Sequence, residues 1–464
     1  MRYYLAVDFG STFTKLTAVD LKNESIMAKA KAFTTVDTDI TIGYQNALSS
    51  LEKKLATSID FDSIVACSSA AGGLKMVAIG LVEELTVEAA KRVCLGAGAK
   101  VELVLSHNIN KGELQQIVDK NIDIILLAGG ANGGNKECVI HNARQLASSP
   151  VTAPIVFAGN KDAVDEIEEI LSAGNKEYYI CENVMPRLNV LNIKSARDKI
   201  KEIFVRNIIE AKGIKRIESR IKQVVLPTPN AVLLAAELLS KGFADEDGLG
   251  DLLLVDVGGA TTDVYSMSEG NPSQAHVLLS GLEEPFAKRT VEGDLGMRYS
   301  ALGILDAMAL SEKTQLKKRN IDIEKEAKMR REQVDFIAVT DHDYEVDDIL
   351  SAKCIDTAVS RHVGKLKGVY TPMGIMYYQT GKDLSETKYI IGTGGVVISS
   401  RNPIKVLSSA ARDQSKHMEL RPKHPEYLLD QDYILSAMGL LSLEHPDIAL
   451  RIMKKRMQRL KESD

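Results

Sequence analysis

The chain has 464 residues and a formal net charge of −5, with 45% hydrophobic and 26% charged residues, a composition that suits two or three domains with substantial cores. No long basic block occurs, which argues against nucleic acid as the main partner. No charged-then-apolar leader opens the chain and no apolar run reaches the ~18 residues that could span a membrane, so a cytoplasmic location is expected. Five cysteines (Cys67, Cys94, Cys138, Cys181 and Cys354) stand singly; without a CxxC pair they speak against a structural zinc or iron–sulfur site and fit a reducing compartment.

The first twenty residues read as a β-hairpin. YYLAV (3–7) is rich in strand formers and KLTAVDL (15–21) alternates polar and apolar residues, so Asp8-Phe9-Gly10-Ser11-Thr12 is the turn. Strand leads to strand, unlike a Walker loop or a dinucleotide fingerprint, in which glycines open a helix. Taken alone, such a turn is an ordinary hairpin.

Residues 85–185 alternate helix-like and strand-like segments, with buried runs such as IDIILLA (122–128) between amphipathic stretches. That pattern predicts a small doubly wound parallel sheet. LLAGGANGGN (126–135) sets glycines at the C-terminal end of a strand, where such sheets bind ligands, but no convincing acidic residue follows about 20 positions on, so a structural turn is favoured. Residues 194–222 carry Ile200, Ile203, Phe204, Ile208 and Ile217 among charged neighbours and read as amphipathic helices. GFADEDGLGD (242–251) reads as a surface linker.

The opening device then returns. LLLVDVGGATTDVYSM (252–267) aligns without gaps on YLAVDFGSTFTKLTAV (4–19): Asp256 falls on Asp8, Gly258 on Gly10, Gly259 on Ser11 and Thr262 on Thr14. Two hairpins of one design, far apart in sequence, predict two similar sheets. Each turn can aim backbone N–H groups and hydroxyls at an anion. Two aspartates aimed at one anion would repel it without a bridging cation, so Mg²⁺ held through water is expected with a nucleoside triphosphate. The charge mixture from Glu312 to Glu332 reads as a solvated helix face. DHDYEVDD (341–348) lacks the glycine and glutamate of a calcium loop and reads as a helix entry. A third cluster, YIIGTGGVVI (389–398), breaks a buried strand with Gly392, Gly394 and Gly395, and is either a packing turn or a place where backbone approaches a ring or sugar.

The order DFGSTFTK, DVGGATTDV, GTGG resembles that of the actin/Hsp70/sugar-kinase ATPase superfamily. PTPNAVLLAAELL (227–239) and PEYLLDQDYILSAMGLL (425–441) are similar to its two connecting helices, with Gly439 at the close crossing. More narrowly, CSSAAGGLKMVAIGLV (67–82), RTVEGDLGMR (289–298) and the spacing of all motifs resemble the GlmL/MutL family, accessory proteins of adenosylcobalamin-dependent glutamate mutase and related aminomutases. The resemblance implies an α/β fold of duplicated actin-like (ribonuclease-H-like) ATPase domains with an inserted doubly wound α/β domain. Its boundaries are expected at 1–84 for the first half, 85–185 for the insert, 186–241 for the return helices and first connecting helix, and 250–464 for the second half.

By the same resemblance, Asp8 and Asp256 position Mg²⁺ and the attacking water. Gly10, Ser11, Thr12, Thr14, Lys15, Gly258, Gly259, Thr261 and Thr262 bind the ATP phosphates, and Gly392, Gly394 and Gly395 border the adenosine. Thr228, before Pro229, stands where Hsp70-like chaperones carry a glutamate, so slow hydrolysis is implied. The insert resembles the cobalamin-carrying domain of the mutases, yet the nearest counterpart of a DxHxxG cobalt-ligand motif, LSHNIN (105–110), lacks both Asp and Gly, so His107 reads as a loop residue. The implied function is an ATP-driven reactivating factor for a cobalamin mutase, with mutase subunits as partners and a homodimer left open. The alternative is a small-molecule kinase of the superfamily. A third possibility, an activator of 2-hydroxyacyl dehydratases, would need clustered cysteines.

Overall fold

The structure is a computed structural model that describes all residues except 1, 11, 35–39, 57–58, 69–73, 212–222, 373 and 462–464. Ser11, the 69–73 part of the CSSAAGG segment and Ile217 lie outside the described residues. The chain divides into two compact units, one of Met1–Ala18 with Met27–Asn230, the other of Val19–Ile26 with Ala231–Asp464.

In the first unit, strands β1 (Tyr3–Phe9), β2 (Phe13–Asp20) and β3 (Ser25–Phe33) are followed by helix α1 (Ile40–Leu55) and strand β4 (Ser63–Ser68). Strand β5 (Lys75–Gly80), helix α2 (Glu88–Gly96), β6 (Lys100–Ser106), α3 (Lys111–Asp119), β7 (Ile124–Leu127), α4 (Glu137–Ala147), β8 (Ile155–Phe157), α5 (Val164–Ala173) and β9 (Tyr178–Ile180) come next. Helix α6 (Lys194–Ala211) and strand β10 (Gln223–Pro227) complete the series, and helix α7 (Thr228–Lys241) starts here and belongs to the second unit from Ala231 onward. The core sheet has the order β10-β4-β1-β2-β3, with β4 parallel to both β1 and β10. Numbered within this sheet the order is 5-4-1-2-3, the ribonuclease-H-like arrangement. β1 is flanked on both sides, which is why Tyr4 to Phe9 are all buried and why its sequence is apolar except at Asp8.

Between β4 and β10 sits a second, wholly parallel sheet of order β6-β5-β7-β8-β9. Its alternate residues Val77, Ile79, Ile125, Leu127, Ile155 and Phe157 pack into one core with α3, α4 and α5. The other face meets α2 and α6. This is the doubly wound arrangement. Its strand β5 begins at Lys75, ahead of the boundary at residue 85, because KMVAIG is as apolar as any strand of the sheet and pairs with both β6 and β7. Helix α6 packs on α2, β8 and β10, so it is the crossover that brings the chain back to the core sheet.

The second unit repeats the first. A small hairpin, β11 (Gly242–Phe243) with β12 (Glu246–Asp247), replaces the expected linker. Then come β13 (Leu252–Val257), β14 (Thr262–Met267), β15 (Val277–Leu279), β16 (Ala287–Glu292), α8 (Ala301–Asp306), α9 (Leu310–Lys318), α10 (Ile323–Glu332) and α11 (Asp341–His362). β17 (Lys365–Thr371), β18 (Gly374–Thr380), β19 (Tyr389–Thr393), α12 (Gly395–Ser399), α13 (Pro403–Leu407), β20 (Glu426–Leu429), α14 (Leu435–Leu441), α15 (Pro446–Arg456) and β21 (Gln458–Arg459) follow. The main sheet, β16-β14-β13-β19-β20-β21, has the first core sheet's order plus one antiparallel edge strand, and α11 packs across it. The 425–441 stretch is therefore not one helix. Leu428 and Leu429 are buried in a strand beside β19, and the helix starts only at Leu435. At the helix crossing, a Cβ on Gly439 would lie 1.8 Å from the Ala231 carbonyl oxygen, so no other residue fits.

The charged run 312–332 is not a uniformly solvated face either. Arg330 is fully buried, bonded to Asp347 (2.6 Å) and Glu326 (2.7 Å). DHDYEVDD does enter a helix, with Thr340 capping Asp343 N–H. At the far end of α11, His362 is fully buried between the Ser266 and Thr290 hydroxyls, each 2.8 Å away. Burial, reinforced by nearby Lys288 and Lys382, holds this imidazole well below the usual histidine range. Folded His362 thus stays neutral where the unfolded chain binds a proton, so stability is full above about pH 6.5 and falls as pH drops below it. We expect His362→Gln to flatten that acid slope in urea titrations between pH 7 and 5; an unchanged slope would assign it to other groups.

Candidate nucleotide site

Asp8 sits near the end of β1, 4% exposed. Two residues on, Gly10 N–H donates to Phe13 O (3.1 Å), closing a tight turn in which a Cβ on Gly10 would come 2.7 Å from that oxygen. Lys15 returns on β2 with its Nζ 3.7 Å from Asp8 Oδ2 and its side chain 24% exposed. The other oxygen, Asp8 Oδ1, accepts from Thr228 Oγ1 (2.7 Å), with Cys67 Sγ at 3.6 Å. Thr12 is half-buried at the turn's surface. Thr14 is fully buried, its hydroxyl 3.1 Å from that of Thr34. It braces the hairpin and does not open onto the turn's outer surface.

The second turn has the same construction. Gly258 N–H, two residues past Asp256, donates to Thr261 O (2.9 Å), the counterpart of the Gly10–Phe13 bond. Gly258, Gly259 and Thr261 are half-buried. Thr262 is fully buried and gives its hydroxyl to Leu295 O (2.9 Å), so it too is a brace. Thr261 turns its hydroxyl to Asp263 Oδ2 (3.1 Å), and Asp263 is paired with buried Arg289. A strap, Gly296–Arg298, lies along the turn: Met297 N–H donates to Gly258 O (3.0 Å) and Arg298 N–H to Gly259 O (2.8 Å). A Cβ on Gly296 would lie 2.4 Å from the Ala260 carbonyl carbon. The strap falls within RTVEGDLGMR (289–298), marked in the sequence by family resemblance and without a role assigned to it.

The third cluster splits into three roles. Gly392 is a buried packing position, where a Cβ would lie 2.7 Å from Leu407 Cδ2. Gly394 takes φ +97° and passes so close to the second turn that a Cβ would lie 2.3 Å from Val257 O. Gly395, by contrast, is exposed, with no heavy atom within 4 Å of a Cβ there. Beside it, Thr393 pairs with Asp256 in the sheet and donates to Asp430 Oδ2 (3.1 Å). Buried Asp430 also accepts from the Ile434 and Leu435 N–H groups at the start of α14. The sequence signal for Asp430 is an Asp at a strand end ahead of a helix. A cavity of about 1020 Å³ in the second unit is lined by Arg401, Asn402 and Lys405, which follow α12, and by Tyr344, Asp348 and Lys353 of α11.

The glycine loop of the insert is closed on itself. Asn160 Nδ2 donates to Gly134 O (3.0 Å), Asn183 Nδ2 to Gly130 O (2.9 Å) and Gly133 N–H to Asp162 Oδ2 (2.8 Å). These bonds tie the loop to its neighbouring segments, in line with a structural turn. His107 is a loop residue: its N–H donates to Gly80 O and its carbonyl accepts from Asn142. Among the described residues no group of three or more His, Cys, Asp or Glu could hold a metal by itself, and no helix is long and apolar enough to cross a membrane.

The family model described as "MutL protein" matches residues 4–457. A curated relative, Protein MutL of Clostridium tetanomorphum, is 51% identical over 457 residues, spanning 98% of this chain and 99% of that one. Among solved structures, nucleotide-free acetone carboxylase is 11% identical with a TM-score of 0.42, over 95% of this chain and 70% of that chain. Gluconate kinase of Lactobacillus acidophilus is 11% identical with a TM-score of 0.34, over 99% and 92%.

Proposed function

This chain belongs to the MutL protein family, and from that premise we propose that it binds and slowly hydrolyses ATP as a reactivating factor for an adenosylcobalamin-dependent mutase. The observation that carries the nucleotide part is the repeated device: an aspartate at a strand end and, two residues on, a glycine N–H that closes the same turn in both halves. Gly10, Thr12, Lys15, Gly258 and Gly259 offer part-exposed backbone and a cation to phosphate oxygens. The residues fit Mg²⁺: each turn carries a carboxylate, and among the described residues no group of three or more His, Cys, Asp or Glu forms a cage, as suits an ion that keeps its waters and arrives with phosphates. When bound, Mg²⁺ would neutralise phosphate charge. Asp8 in the first unit and Asp256 in the second are each a carboxylate suited to holding such an ion, and Gly395 leaves open space for the adenosine.

The mutase part rests on the family and on the insert, whose glycine loop is tied down by Asn160, Asn183 and Asp162. Such a domain is better suited to docking than to carrying a cofactor, and we assign it the mutase as partner. The test is recovery of a mutase inactivated with hydroxocobalamin. Recovery should require both this protein and ATP, with release of inorganic phosphate. A phosphorylated small molecule in place of free phosphate would favour the kinase reading. Lys15→Ala should weaken ATP affinity by ~1.5–3 kcal/mol, the range for a lost charge-assisted hydrogen bond. Isothermal titration measures this, and unaltered affinity would move Lys15 off the phosphates.

A further inference from the structure

The geometry points to Thr228 as the positioning residue of Asp8, an inference that rests on the ATPase reading above. The sheet register builds the arrangement. Asp8 in β1 pairs with Cys67 in β4, and Cys67 pairs with Leu226 in β10, two residues before Thr228 opens α7. Three neighbouring strands thus bring a carboxylate, a thiol and a hydroxyl to one level. Thr228 Oγ1 lies 2.7 Å from Asp8 Oδ1 and 3.7 Å from Cys67 Sγ, and Cys67 Sγ lies 3.6 Å from the same Oδ1.

The two carboxylate oxygens are therefore differentiated. Oδ1 is held from the β4–β10 side by the Thr228 hydroxyl, while Oδ2 lies on the Lys15 side. A hydroxyl donor fixes the side-chain torsion of Asp8 without adding a charge. A carboxylate at position 228 would instead place a second negative group within hydrogen-bond reach of Oδ1. Thr228 sets which oxygen Asp8 can present and leaves the phosphate-binding groups of the turn untouched.

The test compares Thr228→Val, which keeps the shape and deletes the donor, with Thr228→Ser, which keeps the donor. Thermal melts confirm folding, titration gives ATP affinity, and single-turnover assays give the rate. Thr228→Val should slow hydrolysis about ten- to hundredfold, the loss expected for one hydrogen bond to a charged group. ATP affinity should stay within about twofold, because the effect is on turnover and not on binding. Thr228→Ser should restore most of the rate. Wild-type turnover in Thr228→Val, or a Thr228→Ser variant as slow as Val, would overturn the positioning role while leaving the ATPase reading intact. A wild-type protein that neither binds nor hydrolyses ATP would overturn both.

Discussion

Asp8→Ala and Asp256→Ala should each abolish ATP hydrolysis, with turnover falling roughly a thousandfold or more, the upper range for loss of one preorganised electrostatic group. Each aspartate is next to last in its strand, beside a turn whose N–H bond has the same partner spacing. The fold should survive the changes. Removing Asp8 leaves the Thr228 hydroxyl without its carboxylate, a cost of about 1–3 kcal/mol, which thermal melts would register. Phosphate release by the two purified variants decides the matter. Wild-type rates in both would remove the paired turns from catalysis.

The second large effect concerns the insert. Deletion of residues 74–193, bridged by a short Gly/Ser linker into α6, should leave ATP binding largely intact and remove ATP-dependent recovery of the inactivated mutase. The boundaries follow the sheet: cutting at 85 would strand β5, whose partners are β6 and β7, whereas keeping α6 preserves the crossover to β10. Ile200, Ile203 and Phe204 lose their cover in this variant, so changing them to polar residues keeps it soluble. Full recovery of mutase activity by the deletion variant would refute docking and make the insert structural filling. Loss of ATP binding would instead show that the nucleotide turns depend on the insert.

Much of this was legible in the residues because the core strands are patterned locally. The gapless match of 4–19 on 252–267 is the match of two hairpins whose turns close with one hydrogen-bond scheme, each opened by a continuous apolar strand. What escaped depends on contacts between distant segments. Thr14 and Thr262 look like phosphate ligands in a list of turn residues, but period-two alternation turns both inward, toward Thr34 and Leu295. Gly392 belongs to packing against Leu407 and Val397, a fact set by α12 and α13 and not by its own neighbours. Arg330, in a stretch rich in charge, is buried because Asp347 waits on another helix. The onset of the insert was misplaced because β5 follows β4 with no compositional change: both are short, apolar and bounded by glycine or serine.

The placement of the insert also governs the order of assembly during synthesis. The chain leaves the first core sheet at Ser68 and returns only at Gln223, yet β4 and β10 are hydrogen-bonded neighbours. Until the ribosome has made the whole intervening domain, one flank of β4 is an unpaired strand edge, a template for wrong pairing. At translation rates of roughly 5–20 residues per second, that exposure lasts on the order of ten seconds. Closing so long a loop is paid for more cheaply once the insert has folded and brought α6 into position beside β10. The Thr228–Asp8 contact, lying just beyond the last strand to arrive, is then among the final contacts of the first unit to form. A nascent chain stalled in the insert would carry the Asp8 turn without its Thr228 donor.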